Sequence, residues 1–235
     1  SQADTKSTAK KSTENKFLQT LTSILPTRLW QGWKRSPEKN IVMDKFIRTY
    51  PMLEGTACKT LIETYQASKN KEKIDNFLTP QFTQVNLNEL DEKGYQKFTQ
   101  LLCYKVLEIV KQYKKDLPAY AEWFPNKVFF EELRIKKYEP GTDDQFALHT
   151  DVQDHQSAKR YLAFLIYLND DFEGGETTFP YNKLTIKPET GKVLVFPPTW
   201  QYPHIGMPVK SGSPKYIMST YPVSYTHLTL PTTLT

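Results

Sequence analysis

The run Arg160-Tyr-Leu-Ala-Phe-Leu-Ile-Tyr-Leu-Asn169, continued by Asp170-Asp-Phe-Glu-Gly-Gly-Glu-Thr-Thr-Phe-Pro180, decides the fold of this chain. Its first half is a nearly continuous apolar and aromatic stretch of strand length, the pattern of a strand buried on both faces. Its second half places two glycines in a turn that feeds another short strand. From Phe129 onward the same pattern repeats as short strand-like runs punctuated by Gly and Pro, among them Gly191-Lys-Val-Leu-Val-Phe196 and Lys215-Tyr-Ile-Met-Ser-Thr-Tyr221. Such spacing predicts a double-stranded β-helix of the jelly-roll kind. Upstream, residues 53–69 and 88–115 read as helices. In the second, Phe98, Leu101, Leu102, Val106, Ile109, Val110 and Tyr113 recur at three- and four-residue steps, while Lys105, Glu108 and Gln112 fall on another face. The expected class is α+β with a mainly β core: a double-stranded β-helix (jelly roll) with supporting N-terminal helices.

The chemistry-bearing residues are His149-Thr150-Asp151, then His204, then Lys215. In a strand, side chains alternate between faces, so His149 and Asp151 point the same way, about 6.5 Å apart along the chain. A third ligand has to come from a distant strand. His204 qualifies, because it follows the strand-like Val193–Phe196 and the turn Pro197-Pro198. Two imidazoles and one carboxylate, with positions left open, form the ligand set of non-haem Fe(II) oxygenases. Taken singly, a His-x-Asp arises by chance, a lone histidine is more often a hydrogen-bonded structural residue, and most lysines are solvated. Their order and their strand context carry the reading. Lys215 lies in an otherwise buried-looking strand, where a charge needs a partner. No Ser/His/Asp or Cys/His nucleophilic set stands out.

Tyr138-Glu-Pro-Gly141, His149-Thr-Asp151, Tyr167-Leu-Asn169, Phe172-Glu-Gly-Gly-Glu-Thr177, Gly191–Phe196 and His204 through Pro208-Val209, Gly212 and Lys215 occur in one order over about residues 129–223. In this the chain resembles the Fe(II)/2-oxoglutarate-dependent dioxygenase superfamily, in its prolyl 4-hydroxylase-like branch. The resemblance implies that His149, Asp151 and His204 are the catalytic metal ligands, and that Lys215 pairs with the far carboxylate of 2-oxoglutarate, supported by the hydroxyls of Tyr138 and Thr177. It places Arg160 on the substrate side. Phe146, Trp200, Tyr202 and Tyr221 are further expected to line the mouth of the pocket, since they flank the ligands in sequence. The implied cofactors are Fe(II), 2-oxoglutarate and O2, with ascorbate as a candidate reductant. The implied reaction is hydroxylation of a C–H bond with release of succinate and CO2.

Two positions depart from the prolyl hydroxylase pattern. Phe146 stands where tyrosine is usual, and Tyr221 where tryptophan is frequent. Two extra residues also lie between Gly141 and His149. These differences bear on substrate rather than on iron chemistry, and Asp151 favours hydroxylation over halogenation. The leading reading is a hydroxylase of a peptide or protein. The alternatives are a hydroxylase of a free amino acid or other small molecule, and a non-catalytic jelly-roll binding module.

The 235 residues suit one catalytic domain with an appended segment. Residues 1–37 are expected to be a flexible or partly amphipathic arm, 38–128 a helical support region, 129–223 the catalytic core, and 224–235 a non-native tail. A net charge of +5, without an Arg/Lys stripe interleaved with aromatics, does not read as a nucleic-acid binder. No apolar run approaches the ~20 residues of a membrane span. Cys58 and Cys103 lack Cys-x-x-Cys spacing and read as reduced thiols, so a cytoplasmic location is expected.

Overall fold

The computed structural model describes residues 43–75, 80–90 and 93–224. The arm of residues 1–37 and all but Ser224 of the expected tail lie outside these described residues. The described chain holds two α-helices, α1 (Gly55–Ala67) and α2 (Lys93–Asp116), and its strands are numbered in chain order. A large antiparallel sheet runs β1 (Arg48–Pro51), β11 (Lys192–Phe196), β7 (Ala163–Tyr167), β14 (Lys215–Thr220), β5 (Arg134–Tyr138), β3 (Gln81–Asn86), β2 (Glu72–Asp75). A smaller sheet runs β10 (Leu184–Ile186), β9 (Thr177–Phe179), β12 (His204–Gly206), β6 (Phe146–His149). Two short pairs complete the described strands: β13 (Val209–Gly212) with β8 (Phe172–Gly174), and β15 (Pro222–Val223) with β4 (Phe129–Phe130). This is the double-stranded β-helix expected from the sequence.

The apolar run that opened the sequence is β7, and it is buried on both faces as its composition requires. Phe164 and Ile166 join Val193, Val195 and Met218 in one core cluster, shared with Leu61 and Tyr65 of α1 and Val106 and Tyr113 of α2. Ala163 and Tyr167 point the other way and join Leu194, Phe196, Ile217 and Phe179 in a second cluster between the sheets. Alternation along each central strand therefore feeds two cores at once. Burying each such side chain contributes about 1.5–3 kcal/mol relative to leaving it in water. This is what holds the otherwise polar α2 against the sheet.

The helices sit close to the predicted spans. The second begins later than expected, because residues 87–89 form a separate 3₁₀ turn whose entry is held by the Asn86 side chain accepting from the Asn88 amide. The expected helical support region also contributes β1, β2 and β3 to the large sheet, so strands of this sheet begin upstream of residue 129. These three are short and mostly polar. β1 becomes a strand by pairing with β11 and β3 by pairing with β5, and β2 then adds to β3, a long-range effect that no local pattern announces. Among the described residues, no helix is long and apolar enough to cross a membrane.

Gly191 joins the central sheet to the helical layer. Its amide donates to the Tyr167 carbonyl, and its own carbonyl accepts from both Met52 and Leu53. Its φ is +81°, and a Cβ there would stand 2.0 Å from the Leu53 carbonyl oxygen. Gly191→Ala is expected to cost about 2 kcal/mol or more in backbone strain alone, which lowers Tm by about 4–8 °C in a domain of this size. Thermal unfolding followed by circular dichroism measures the effect, and an unchanged Tm would contradict this packing.

Candidate active site

The small sheet sets the centre of the site. β12 pairs antiparallel with β6 in a register that places His204 directly opposite His149, and such cross-strand partners stand close enough for their side chains to meet. The imidazole centroids are 4.2 Å apart. Asp151 lies two residues past His149, beyond the strand end. There the amides of Asp151 and Val152 both donate to the Pro198 carbonyl, tying this turn to Pro197-Pro198. The carboxylate thereby comes within 3.4 Å of His149 Nε2 and 3.7 Å of His204 Nε2.

The ring nitrogens are sorted by their second contacts. His149 Nδ1 lies 2.7 Å from the Ala147 carbonyl and His204 Nδ1 lies 3.1 Å from the Tyr202 carbonyl. A carbonyl only accepts, so each Nδ1 carries the proton and each Nε2 turns a lone pair to the centre. His149 Nε2 and Asp151 Oδ2 are buried without a hydrogen-bond partner, a costly state for polar atoms unless a ligand satisfies them. The three candidate ligand atoms lie within 4.8 Å of one another. Burial pushes the His204 imidazole down to about 4, against the opposing pull of Asp151, so it is neutral near pH 7. Two imidazoles and one carboxylate converging on one point fit a divalent transition metal with open positions.

Asp151 is supported from behind. Burial alone would raise its carboxyl, but the two imidazoles and a hydrogen bond from Tyr221 outweigh it and hold the group ionised, well below the usual carboxylate range. The Tyr221 hydroxyl donates to Asp151 Oδ1 at 2.9 Å. Arg160 lies over the Tyr221 ring at 4.0 Å, donates through Nη1 to the Asp151 carbonyl, and makes a two-pronged contact with Glu131. One guanidinium thus links a distant carboxylate, an aromatic ring and the backbone of a candidate ligand, which its planar fork suits.

Lys215 opens β14 directly opposite Tyr138 of β5, and both side chains are buried. Its ammonium donates to the Gly175 carbonyl at 2.6 Å, which leaves two further donors. Gly175 has a φ of +68°, and a Cβ there would press within 3.1 Å of the Lys215 stem. The Gly-Gly pair of the sequence motif thus lets the turn close over the lysine. Asn169 fixes the start of the strand, accepting from the Tyr216 amide and donating to the Pro214 carbonyl. The Thr177 and Tyr167 hydroxyls hydrogen-bond at 2.9 Å. Burial pushes Lys215 down to about 8, with Glu176 partly opposing it.

Tyr138, Thr177 and Lys215 share an inner chamber with the three candidate ligands. A wider cleft of about 410 Å³ opens from that chamber and is lined by Phe146, Arg160 and Tyr221. Phe146 lies flat on the His149 ring, with centroids 3.4 Å apart. Two expected substrate residues are not there. Trp200 is exposed on the surface and Tyr202 is buried within a core cluster; neither lines the cleft or the chamber. They flank His204 in sequence, but the turn that carries them, closed by the Tyr202 amide on the Thr199 carbonyl, leads away from the opening. Tyr221 does more than line the mouth, because its hydroxyl holds Asp151. Glu131 and the buried Lys136 were not singled out from sequence. Glu131 is distant in sequence from its partners. Lys136 is the middle residue of Ile135-Lys-Lys137, and only strand alternation from Tyr138 would have turned it inward.

Residues 133–222 match the family model of the 2OG-Fe(II) oxygenase superfamily. The "Putative prolyl 4-hydroxylase" of Acanthamoeba polyphaga mimivirus is 43% identical over 65 residues, covering 24% of this chain and 27% of that relative, so the match spans about a quarter of its length. Solved structures share the fold. The viral collagen prolyl hydroxylase of Paramecium bursaria Chlorella virus-1, in its 2OG complex, superposes with a TM-score of 0.58 at 22% identity, covering 79% of this chain and 99% of that one. A Pseudomonas putida prolyl-4-hydroxylase does so at 0.57 and 15%, covering 79% and 98%. A Trichoplax adhaerens prolyl hydroxylase, in complex with a hypoxia inducible factor peptide fragment, gives 0.55 and 16%, covering 86% and 94%.

The support behind Asp151 is testable without turnover. Glu131→Ala frees Arg160 from its carboxylate partner and loosens the Asp151 turn, and loss of such an outer contact lowers metal affinity by about 10- to 100-fold. Isothermal titration with Mn(II) measures this, and an affinity within a factor of two of wild type would show that the Glu131–Arg160 contact does not position Asp151.

Proposed function

We propose that this chain is an Fe(II)/2-oxoglutarate-dependent hydroxylase acting on a peptide or protein, most like a prolyl 4-hydroxylase. The observation that carries the reading is the set of unsatisfied ligand atoms of His149, Asp151 and His204 in the same chamber as the buried Lys215. His149, Asp151 and His204 would hold the metal. Lys215, with two donors to spare, would pair with the far carboxylate of 2-oxoglutarate, and the hydroxyls of Tyr138 and Thr177 would stand beside it. Phe146, Leu165 and Ile217 line the chamber with apolar surface and exclude water from it. Fe(II) bound there with 2-oxoglutarate and O2 supplies an oxidant strong enough to hydroxylate a C–H bond, with succinate and CO2 as co-products.

A peptide substrate is favoured over a free amino acid by the form of the cleft; Arg160, the cation expected on the substrate side, is committed to Glu131 and the Asp151 carbonyl. The cleft is open, as an extended chain requires, and the Trichoplax relative carries a peptide in its complex.

Replacing His149, Asp151 or His204 by alanine is expected to abolish 2-oxoglutarate-dependent succinate formation while leaving a folded domain. Retained turnover with stoichiometric iron in all three variants would refute the ligand set and leave a non-catalytic jelly-roll module as the reading.

Lys215→Ala acts on the cosubstrate instead. Losing a charge-assisted contact that leaves a carboxylate buried and unpaired costs about 2–5 kcal/mol, so the 2-oxoglutarate requirement rises more than tenfold with metal affinity retained. In the wild type, Lys215 is charged below about pH 8 and loses its proton above it. Binding at higher pH must therefore restore that proton, and 2-oxoglutarate affinity weakens as pH rises through about 8. Titration of the Mn(II) protein with 2-oxoglutarate at pH 7 and 9 measures both effects. A flat profile, or an unchanged requirement in Lys215→Ala, assigns the carboxylate to another cation.

A further inference from the structure

Lys136 stands on the inner face of β5, one rung along the sheet from the Lys215–Tyr138 pair. Across β14 its partner is Ile217, and the next rung outward is Arg134 opposite Ser219. Rungs on one face are about 7 Å apart along a strand. Lys215 and Tyr138 line only the inner chamber, while Arg134 and Ser219 line only the outer cleft. Lys136 lines both, together with His149, Asp151, Phe146 and Tyr221. It therefore sits where a group entering from the cleft first meets the metal ligands.

The side chain has no polar partner there. Lys136 is 8% exposed. Its ammonium lies 4.9 Å from the Phe82 ring centroid and 5.8 Å from that of Phe146, and it makes no hydrogen bond or ion pair among the described residues. The other buried or half-buried cations around the site are engaged: Lys215 by Gly175, Arg160 by Glu131, Arg134 by Glu132. A buried ammonium with ring faces beside it, and Asp151 attracting it only from beyond hydrogen-bond reach, stays costly unless an anion arrives to meet it. Burial pushes it down to about 8, with the attraction of Asp151 only partly opposing it. The far carboxylate of 2-oxoglutarate has its own cation in Lys215, deeper in the chamber.

We infer that Lys136 is a specificity-determining residue that pairs with a carboxylate of the substrate, carried within about one residue of the carbon that is hydroxylated. The inference rests on the proposed function, because it takes the cleft as the path of the substrate to the metal. The Phe82 and Phe146 rings flanking the ammonium would pack against the apolar part of the same substrate. The carboxylate could belong to an acidic residue before or after the target, or to a chain terminus directly following it.

The test uses the full chain loaded with Mn(II), which binds without turning over. First, 2-oxoglutarate is titrated into wild type and Lys136→Met, a substitution of similar length that removes the charge from a buried site. Second, four probes are titrated into each in the presence of saturating 2-oxoglutarate: acetyl-Ala-Pro-Ala-amide, acetyl-Asp-Pro-Ala-amide, acetyl-Ala-Pro-Asp-amide and acetyl-Ala-Pro with a free carboxylate. Broadening of probe proton resonances by Mn(II) reports both affinity and closeness to the metal. Wild type is expected to bind at least one carboxylate probe about tenfold or more tighter than the neutral one, a single charge-assisted contact being of that size. Lys136→Met should lose that preference and keep 2-oxoglutarate affinity within a factor of two. The inference is overturned if wild type shows no preference for any carboxylate probe, or if the preference survives in Lys136→Met. A tenfold loss of 2-oxoglutarate affinity in the variant would also overturn it, by giving the lysine to the cosubstrate. Failure of wild type to bind 2-oxoglutarate at all would instead strike the proposed function.

Discussion

Antiparallel pairing of β6 with β12 sets His149 opposite His204, and the rest of the site is arranged about that pair. Side chains on a strand alternate, so a slip of one residue in this pairing would turn one imidazole away from the other. The register is held from both sides. β12 also pairs with β9, and the turn after β6 is tied by two amides to the Pro198 carbonyl. The geometry of the candidate metal ligands is thus a consequence of backbone pairing in the small sheet. The large sheet stands across from it and supplies the buried cations Lys136 and Lys215.

Charge is distributed between the two sheets in a way that desolvation explains. The carboxylate of Asp151 and its hydrogen-bonding neighbours lie with the candidate metal ligands, while the cations Lys136 and Lys215 stand on β5 and β14 of the large sheet. Each of these charges is buried before any ligand binds. The cost is carried by the packing of two apolar clusters, and binding energy is therefore concentrated on anions that enter the chamber. Arg160 shows the opposite case. It is charged and near the metal centre, but bonding to Glu131 and the Asp151 carbonyl makes it part of the scaffold.

Much of this could be read from the chain. The two-faced burial of β7 follows from its unbroken apolar run and the closure over Lys215 from the Gly174-Gly175 pair, whereas the strand ends at His149 and the turn tied to the Pro198 carbonyl, rather than strand alternation, brings Asp151 to it. The polar strands β1 and β2 could not be read, because they become strands only by pairing with edges formed elsewhere. Proximity to His204 in sequence points to Trp200 and Tyr202 as pocket residues. The turn that carries them sends one to solvent and the other into the core, and nothing local records that direction.

The sequence by itself determined the candidate ligand set, the buried state of Lys215 and the jelly-roll class. Those depend on residue type, order and two-residue periodicity, which are properties of the chain. Only the tertiary structure decided that Tyr221 holds Asp151, that Arg160 is committed to Glu131, and that Lys136 is buried without a hydrogen bond or ion pair among the described residues at the junction of chamber and cleft. Each of these is a contact, or the want of one, between residues far apart along the chain. The physical reason is that partnership of a charge depends on which atoms surround it after folding, and composition cannot state that in advance.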